Sequence, residues 1–309
     1  MLGALGGIST IWVVIGVGWL IAHVGVVGRS GRRLMAVLAF TVASPALLFG
    51  MMARASLEHV FSPTIAVSVW AMIATGLLYL ALARALFRPG LGALVIGSMA
   101  SMYTNAANFG IPIALALLGD ATWAAPILLM QVVVLMPIIL GLLDVARMRE
   151  EGRHLSLPRY LVLPFRNPLT VGMTGGLLVN ATGITLPAVV WSPVDTVAGM
   201  AVPLMLMAFG VSLRLDPLPG RGDHSLHAWM TVALKAVVHP LIAYLLGLAF
   251  GMPRHDLYAV VVLAALPAAQ NVYVIATRYR ESELLARDSV FWSTFLSIGS
   301  LLAITALLG

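Results

Sequence analysis

The sequence contains no cysteine, and only 10% of its 309 residues are charged. The absence of cysteine excludes disulfide bonds, thiol nucleophiles and thiolate metal ligands. The scarcity of charge is accompanied by an apolar content of 61%. A water-soluble domain of this length could not bury so much apolar surface in one core. The chain is therefore predicted to be embedded in a lipid bilayer.

Lysine is almost absent as well, because seventeen of the eighteen Lys and Arg residues are arginine. The formal charge of +6 does not indicate a nucleic-acid partner, since the arginines lie in short gaps between apolar runs. The sequence has no phosphate-binding Gly-Lys-Ser/Thr loop, His-Glu-x-x-His motif, dinucleotide fingerprint or Gly-x-Ser-x-Gly elbow. His224 and His227 are three residues apart in a predicted cytoplasmic loop, a pattern that does not by itself indicate a metal site, and neither a metal site nor a cofactor is predicted.

Long apolar runs dominate what is present. A bilayer core about 30 Å thick requires roughly 20 apolar residues per helix. Ten segments meet this requirement: residues 8–27, 34–53, 63–86, 92–118, 122–145, 165–182, 188–211, 227–250, 255–277 and 288–308. The predicted fold class is an all-α membrane protein with ten transmembrane helices.

The arginines indicate how these segments are oriented. Fifteen of them lie in alternate gaps, whereas the opposite set of gaps holds only Arg54 and Arg254. Positive residues are retained on the cytoplasmic side of a membrane. We therefore expect a multi-pass protein of the cell (plasma or inner) membrane with both termini outside and the central loop in the cytoplasm.

The central loop, residues 147–164, also divides the chain into halves of five segments each, residues 1–146 and 165–309. The second half then enters the membrane from the side opposite to the first. Weak internal similarity relates Ser44–Gly50 in the second segment to Val202–Gly210 in the seventh. These features favour two inverted five-helix repeats.

The fourth and ninth segments carry polar interruptions at corresponding places in the two halves. One runs from Tyr103 to Pro112 and the other from Leu266 to Tyr273. Backbone that leaves helical geometry in a bilayer survives only where protein or a wet cavity surrounds it, and the freed half-helix N-termini attract anions. The candidate substrate-binding residues are Asn105, Asn108, Gly110, Pro112, Pro267, Gln270, Asn271 and Tyr273. Alternatively, the prolines and glycine are ordinary kinks and the amides join neighbouring helices.

One pair of ionisable residues lies well inside an apolar segment. Lys235 is in the eighth segment, and His239 follows four residues later on the same helical face. Intramembrane charges are usually functional or paired, so the pair is a candidate for balancing substrate charge or for proton coupling. The alternative is that Lys235 extends its amine to the membrane surface.

Taken together, these segments resemble the auxin efflux carrier family, which includes plant auxin exporters and bacterial carriers of malonate, malate and similar acids. The resemblance covers nearly the whole chain. It rests on five stretches of sequence: Asn105 to Pro112, Asn167-Pro168, Ala201 to Gly210, Lys235 to Pro240, and Ala265 to Tyr279.

The resemblance implies two inverted repeats whose fourth and ninth helices cross at mid-membrane and hold the substrate carboxylate. It also implies an elevator-like shift of one domain against another. Asn105 matches the crossover Asn of the family, Gly110-Ile111-Pro112 the motif after it, and Pro267 the crossover Pro of the ninth helix. Thr104 departs from the plant exporters, which have Pro there, and their long cytoplasmic loop is missing.

We therefore interpret the chain as a secondary transporter of small carboxylates such as malonate or malate, coupled to protons or to the membrane potential. The family implies a possible homodimer. Alternatives are a sodium-coupled carrier of bile-acid type, and a sensor or channel. An intramembrane hydrolase would have to use Ser44, Ser98, Ser101 or His239.

Overall fold

The computed structural model describes residues 2–54, 63–150, 167–222 and 224–309. Within these ranges the protein is helical and has no β-strand. Six helices are long and apolar enough to cross a bilayer: α2 (Arg29–Ala53), α3 (Thr64–Leu86), α5 (Pro126–Arg149), α7 (Ala188–Leu215), α8 (Ser225–Ala249) and α10 (Glu283–Leu308). The prediction of an all-α protein with several membrane-spanning helices is confirmed. Most of the predicted central loop lies outside the described residues.

The other four predicted segments are also helical, and two of them are divided. The undivided ones are α1 (Leu2–His23) and α6 (Pro168–Thr182). The fourth segment forms α4a (Leu91–Met102) and α4b (Ala106–Leu118). The ninth forms α9a (Arg254–Ala264) and α9b (Asn271–Tyr279). Both divisions fall at the polar interruptions of the sequence.

Wide π-helical turns precede four prolines. The turns span Ala39–Ala43, Ala106–Gly110, Gln131–Leu135 and Leu234–Val238, and each ends two residues before a proline. A proline has no N–H to donate and its ring clashes with the carbonyl four residues earlier, so the preceding turn widens. At Pro240 the carbonyl that loses its partner is that of Ala236, and it accepts a hydrogen bond of 2.8 Å from the Ser300 hydroxyl.

The helices pack as two groups. α1, α2, α6 and α7 form one group, hereafter the panel, in which α1 lies against α7 and α6 against α2. Glycines allow these pairs to approach closely: a Cβ added at Gly210 would overlap the Ile15 carbonyl, and one added at Gly172 would overlap the Pro45 carbonyl. Small residues give membrane helices this kind of contact. The remaining helices, α3, α4, α5, α8, α9 and α10, form the second group, hereafter the core group.

Candidate functional site

The two interruptions lie against each other. Thr104 and Ala268 form an isolated antiparallel bridge. The Asn105 N–H donates to the Pro267 carbonyl at 2.9 Å, and the Ala269 N–H donates to the Tyr103 carbonyl at 3.1 Å. Residues 103–105 and 267–269, hereafter the crossing, thus satisfy backbone groups that neither helix could satisfy in a bilayer.

Side chains from two further helices complete the hydrogen bonds of the crossing. With its nitrogen turned toward the Thr104 carbonyl, the Gln131 amide bonds both backbone groups of Thr104, donating at 2.9 Å and accepting from the N–H at 2.8 Å. In the other segment of the crossing, residues 267–269, the Ala268 N–H donates to the Ser293 hydroxyl oxygen at 3.1 Å. Gln131 belongs to α5 and Ser293 to α10, so four helices hold the crossing in one geometry.

Two half-helices begin at the crossing. α4b starts after Asn105, whose side-chain oxygen accepts the Asn108 N–H at 3.2 Å and so caps the helix. α9b starts after Gln270. The first N–H groups of a helix have no partner within it and carry a partial positive charge. Local bonds already use some of these N–H groups, among them those of Ala106 and Val272, but both half-helices direct positive dipole ends toward the same place.

A small cavity lies beside the crossing, where the core group meets α2 and α7 of the panel. Its polar lining includes four of the predicted residues, Asn105, Asn108, Gln270 and Asn271. Asn105 Nδ2 and Gln270 Oε1 are buried without a hydrogen-bond partner. Buried polar atoms are rarely left unpaired unless a ligand or water completes them. The Gln270 amide can also turn to offer its nitrogen, since its two ends are nearly equal in shape.

Lys235 and His239 lie on another side of the same crossing. Both side chains are buried, and the Lys235 ammonium has three partners: the Thr104 hydroxyl at 3.1 Å, the Ala264 carbonyl at 2.9 Å and His239 Nδ1 at 2.8 Å. An ammonium has three protons to donate, so all of them are used. Lys235 does not extend to the membrane surface as the alternative interpretation supposed; it joins α8 to α4 and to the last turn of α9a.

The remaining predicted residues occupy other positions. Gly110 is buried, and a Cβ there would lie 3.2 Å from a Leu266 methyl group. Pro267 contributes its carbonyl to the crossing. Tyr273 is buried edge-on against Phe209, with ring centroids 5.4 Å apart. Pro112 lies in the short α-helical turn Ile111–Ile113 that follows the π-helical start of α4b.

Sequence reasoning missed Gln131 and Ser293. Gln131 is fully buried in an otherwise apolar run, and a lone amide inside a membrane helix is a signal of the same kind as Lys235. Ser293 gives no such signal, because serines are common in membrane helices and often bond their own backbone.

The model of a family described as "Membrane transport protein" matches residues 5–305. The chain belongs to this family, that of the auxin efflux carriers. The resemblance seen in the sequence is thereby confirmed. As a family member the protein is a multi-pass membrane transporter.

Two relatives extend the comparison. A protein of Rhizobium meliloti (strain 1021) named "Putative malonate transporter" is 26% identical over 271 residues, which is 84% of this chain and 81% of the relative. A protein of Methanothermobacter thermautotrophicus named "Uncharacterized transporter" is 26% identical over 308 residues, covering 97% of each chain. The similarity thus extends over most of the chain in both cases.

Proposed function

We propose that this auxin efflux carrier family member is a secondary active transporter of small carboxylates, which it binds in the cavity beside the crossing. The observation that carries the proposal is the unpaired Asn105 Nδ2, buried at the start of α4b and next to the start of α9b. A carboxylate accepts hydrogen bonds and has no proton to donate. It therefore suits a site with an unpaired amide nitrogen and two helix N-termini of positive partial charge.

Transport then requires the crossing to face each side of the membrane in turn. The cavity lies between the panel and the core group, so a shift of the core group against the panel would expose it to one side or the other. Close glycine contacts hold the panel helices together. The crossing, together with the side chains of Gln131 and Ser293 that bond to it (hereafter the braces), holds the core group together. These contacts support an elevator-like movement of one rigid body past another.

The packing also supports the proposed inverted repeats, 1–146 and 165–309, joined by 147–164. α1 lies against α7 and α6 against α2, which is the same pairing with the halves exchanged. The braces follow the same rule, because Gln131 is on the fifth helix of its half and Ser293 is on the fifth helix of the other. Both termini outside and the central loop in the cytoplasm of a cell-membrane protein follow from the arginine distribution.

Lys235 and His239 are proposed to balance the substrate charge and to couple transport to protons or to the membrane potential. Lys235 bonds the Thr104 hydroxyl in the crossing, and His239 bonds Lys235. A charge on this pair therefore moves with the core group. Moving one charge through 100 mV is worth about 2.3 kcal/mol. The groups that contact the Lys235 ammonium from other helices are the Thr104 hydroxyl and the Ala264 carbonyl, neither of which titrates at physiological pH.

The test is uptake and counter-flow of labelled carboxylates in proteoliposomes, with Asn105→Ala compared with wild type. Asn180→Ala is the matched control, because the Asn180 amide bonds the Met52 and Ala53 carbonyls inside the panel. Saturable uptake that is lost in Asn105→Ala and kept in Asn180→Ala supports the proposal. Absence of uptake and counter-flow for every acid in the wild type contradicts it.

A further inference from the structure

The cavity beside the crossing has few charges to offer. Within the described ranges no Asp, Glu, Lys, Arg or His lines it; its polar lining consists of amides, one threonine and one tyrosine. The basic side chain that hydrogen-bonds to the crossing is Lys235, which lies behind Thr104 with all three ammonium protons used. A substrate in the cavity therefore meets neutral donors, and a single ammonium lies behind Thr104 without lining the cavity.

The helix dipoles at the crossing add little net charge to that of Lys235. A helix end carries about half an elementary charge, positive at the N-terminus and negative at the C-terminus. The starts of α4b and α9b and the ends of α4a and α9a meet there and roughly cancel. Lys235 bonds the Ala264 carbonyl at the end of α9a, so the crossing carries at most about one net positive charge.

The panel side of the cavity is apolar. The lining contributed by the panel is entirely hydrophobic: Leu47, Leu48, Met51, Val202 and Met205. Leu128 and Val132 add to the apolar lining. These seven residues come from α2, α7 and the start of α5. A charge placed against such a wall loses its hydration and gains no partner.

We infer that the substrate carries one negative charge at one end and an apolar body at the other, and that doubly charged acids are disfavoured. The inference rests on the proposed function. The carboxylate lies against Asn105 and the two half-helix N-termini, and the apolar body lies against α2 and α7. A second carboxylate on the substrate would face Met51 and its neighbours without a cation.

Isovalerate and malonate provide the matched comparison. They have the same number and connectivity of non-hydrogen atoms, but isovalerate has an isopropyl group where malonate has its second carboxylate. At a pH at which malonate is doubly charged, we expect isovalerate to be taken up, or to compete for uptake, at least about tenfold better, a difference of about 1.4 kcal/mol.

A second cation in the apolar wall should reverse this selectivity. Met51 lines the cavity and is partly exposed, so Met51→Lys would place an ammonium where a second carboxylate would lie. We expect Met51→Lys to raise the malonate-to-isovalerate uptake ratio about tenfold, which corresponds to about 1.4 kcal/mol. Met51→Gln is the neutral control of similar length and is expected to leave the ratio near that of wild type.

The outcomes separate this inference from the proposed function. If isovalerate is preferred and Met51→Lys alone shifts the ratio toward malonate, the inference holds. If doubly charged malonate is carried as well as isovalerate, or if Met51→Lys leaves the ratio unchanged, the inference is overturned while the transporter proposal stands. If no acid enters and none exchanges, both are overturned.

Discussion

The Lys235 ammonium nitrogen lies 2.8 Å from Nδ1 of His239, and less than 3% of either residue is exposed. At this distance the ammonium donates a hydrogen bond to Nδ1, so the neutral imidazole carries its own proton on Nε2. Two positive charges so close together in a buried site would repel each other strongly. The pair therefore holds at most one positive charge.

We expect Lys235→Met to weaken carboxylate binding about tenfold, because the charge that offsets the substrate is lost. Wild-type uptake should weaken as the pH rises, since the pair then loses its proton, and Lys235→Met should flatten this dependence. His239→Asn keeps an acceptor for the ammonium but no titratable ring, so it should retain binding and change only the pH profile. Uptake measured against pH for the three proteins checks this. Identical profiles would refute the assignment.

Gln131→Leu should destabilise the crossing. The substitution removes two hydrogen bonds. The buried Thr104 N–H is left without that partner, at a cost of about 1–3 kcal/mol, whereas the Thr104 carbonyl keeps the bond of 2.8 Å from the Ala106 N–H. Gln131→Glu retains an acceptor for the N–H and should lose less. The melting temperatures of the purified proteins in detergent compare the variants. Equal melting temperatures for Gln131→Leu and wild type would show that the amide does not brace Thr104.

The Ser300 hydroxyl should matter only because Pro240 has no N–H. Ser300→Ala leaves the Ala236 carbonyl unpaired, which we expect to cost about 1 kcal/mol. In a Pro240→Ala background, the restored N–H can take the place of the hydroxyl, so the same Ser300→Ala change should cost much less. A double-mutant cycle of melting temperatures measures this coupling. Additive effects of the two substitutions would mean that the hydroxyl does not compensate for the proline.

Gly210→Ala should loosen the panel, because the added methyl group overlaps the Ile15 carbonyl. Forcing helices apart typically costs about 1–3 kcal/mol. Gly16→Ala is the control, since a Cβ at Gly16 meets no atom within 4 Å. Melting temperature and retention of the folded peak in size-exclusion chromatography distinguish the two. A loss at Gly16→Ala equal to that at Gly210→Ala would show that close packing is not the cause.

The sequence predicts the helical segments well because bilayer thickness sets a minimum apolar length. The breaks in the fourth and ninth segments are also indicated, since Pro267 interrupts a regular helix and the polar stretch around Asn105 is unusual inside an apolar segment. It is harder to predict from the sequence which side chains face the cavity. Asn271 lines it, whereas Tyr273, two residues later, packs against Phe209, and that choice depends on how α9b is rotated against α7.

Gln131 illustrates why part of the site is hidden from sequence reasoning. Its partner is a backbone segment 27 residues away in the chain, and no local pattern links the two. Lys235 is conspicuous as the only lysine, yet its direction is not predictable either. It faces Ala264 and Thr104, which become neighbours only when α9a ends beside the crossing.

The wide turns before the four prolines change how the faces of these helices should be compared. Each π turn acts as one residue added to a regular helix, and one residue corresponds to a rotation of about 100° about the axis. The residues after Leu135 and after Val238 are therefore out of phase with those before. An apolar stripe drawn straight through α5 or α8 would point to the wrong neighbours beyond the turn. Deleting one residue within such a turn should remove the wide loop and realign the two halves, so these turns are places where a change in length alters which face meets the cavity.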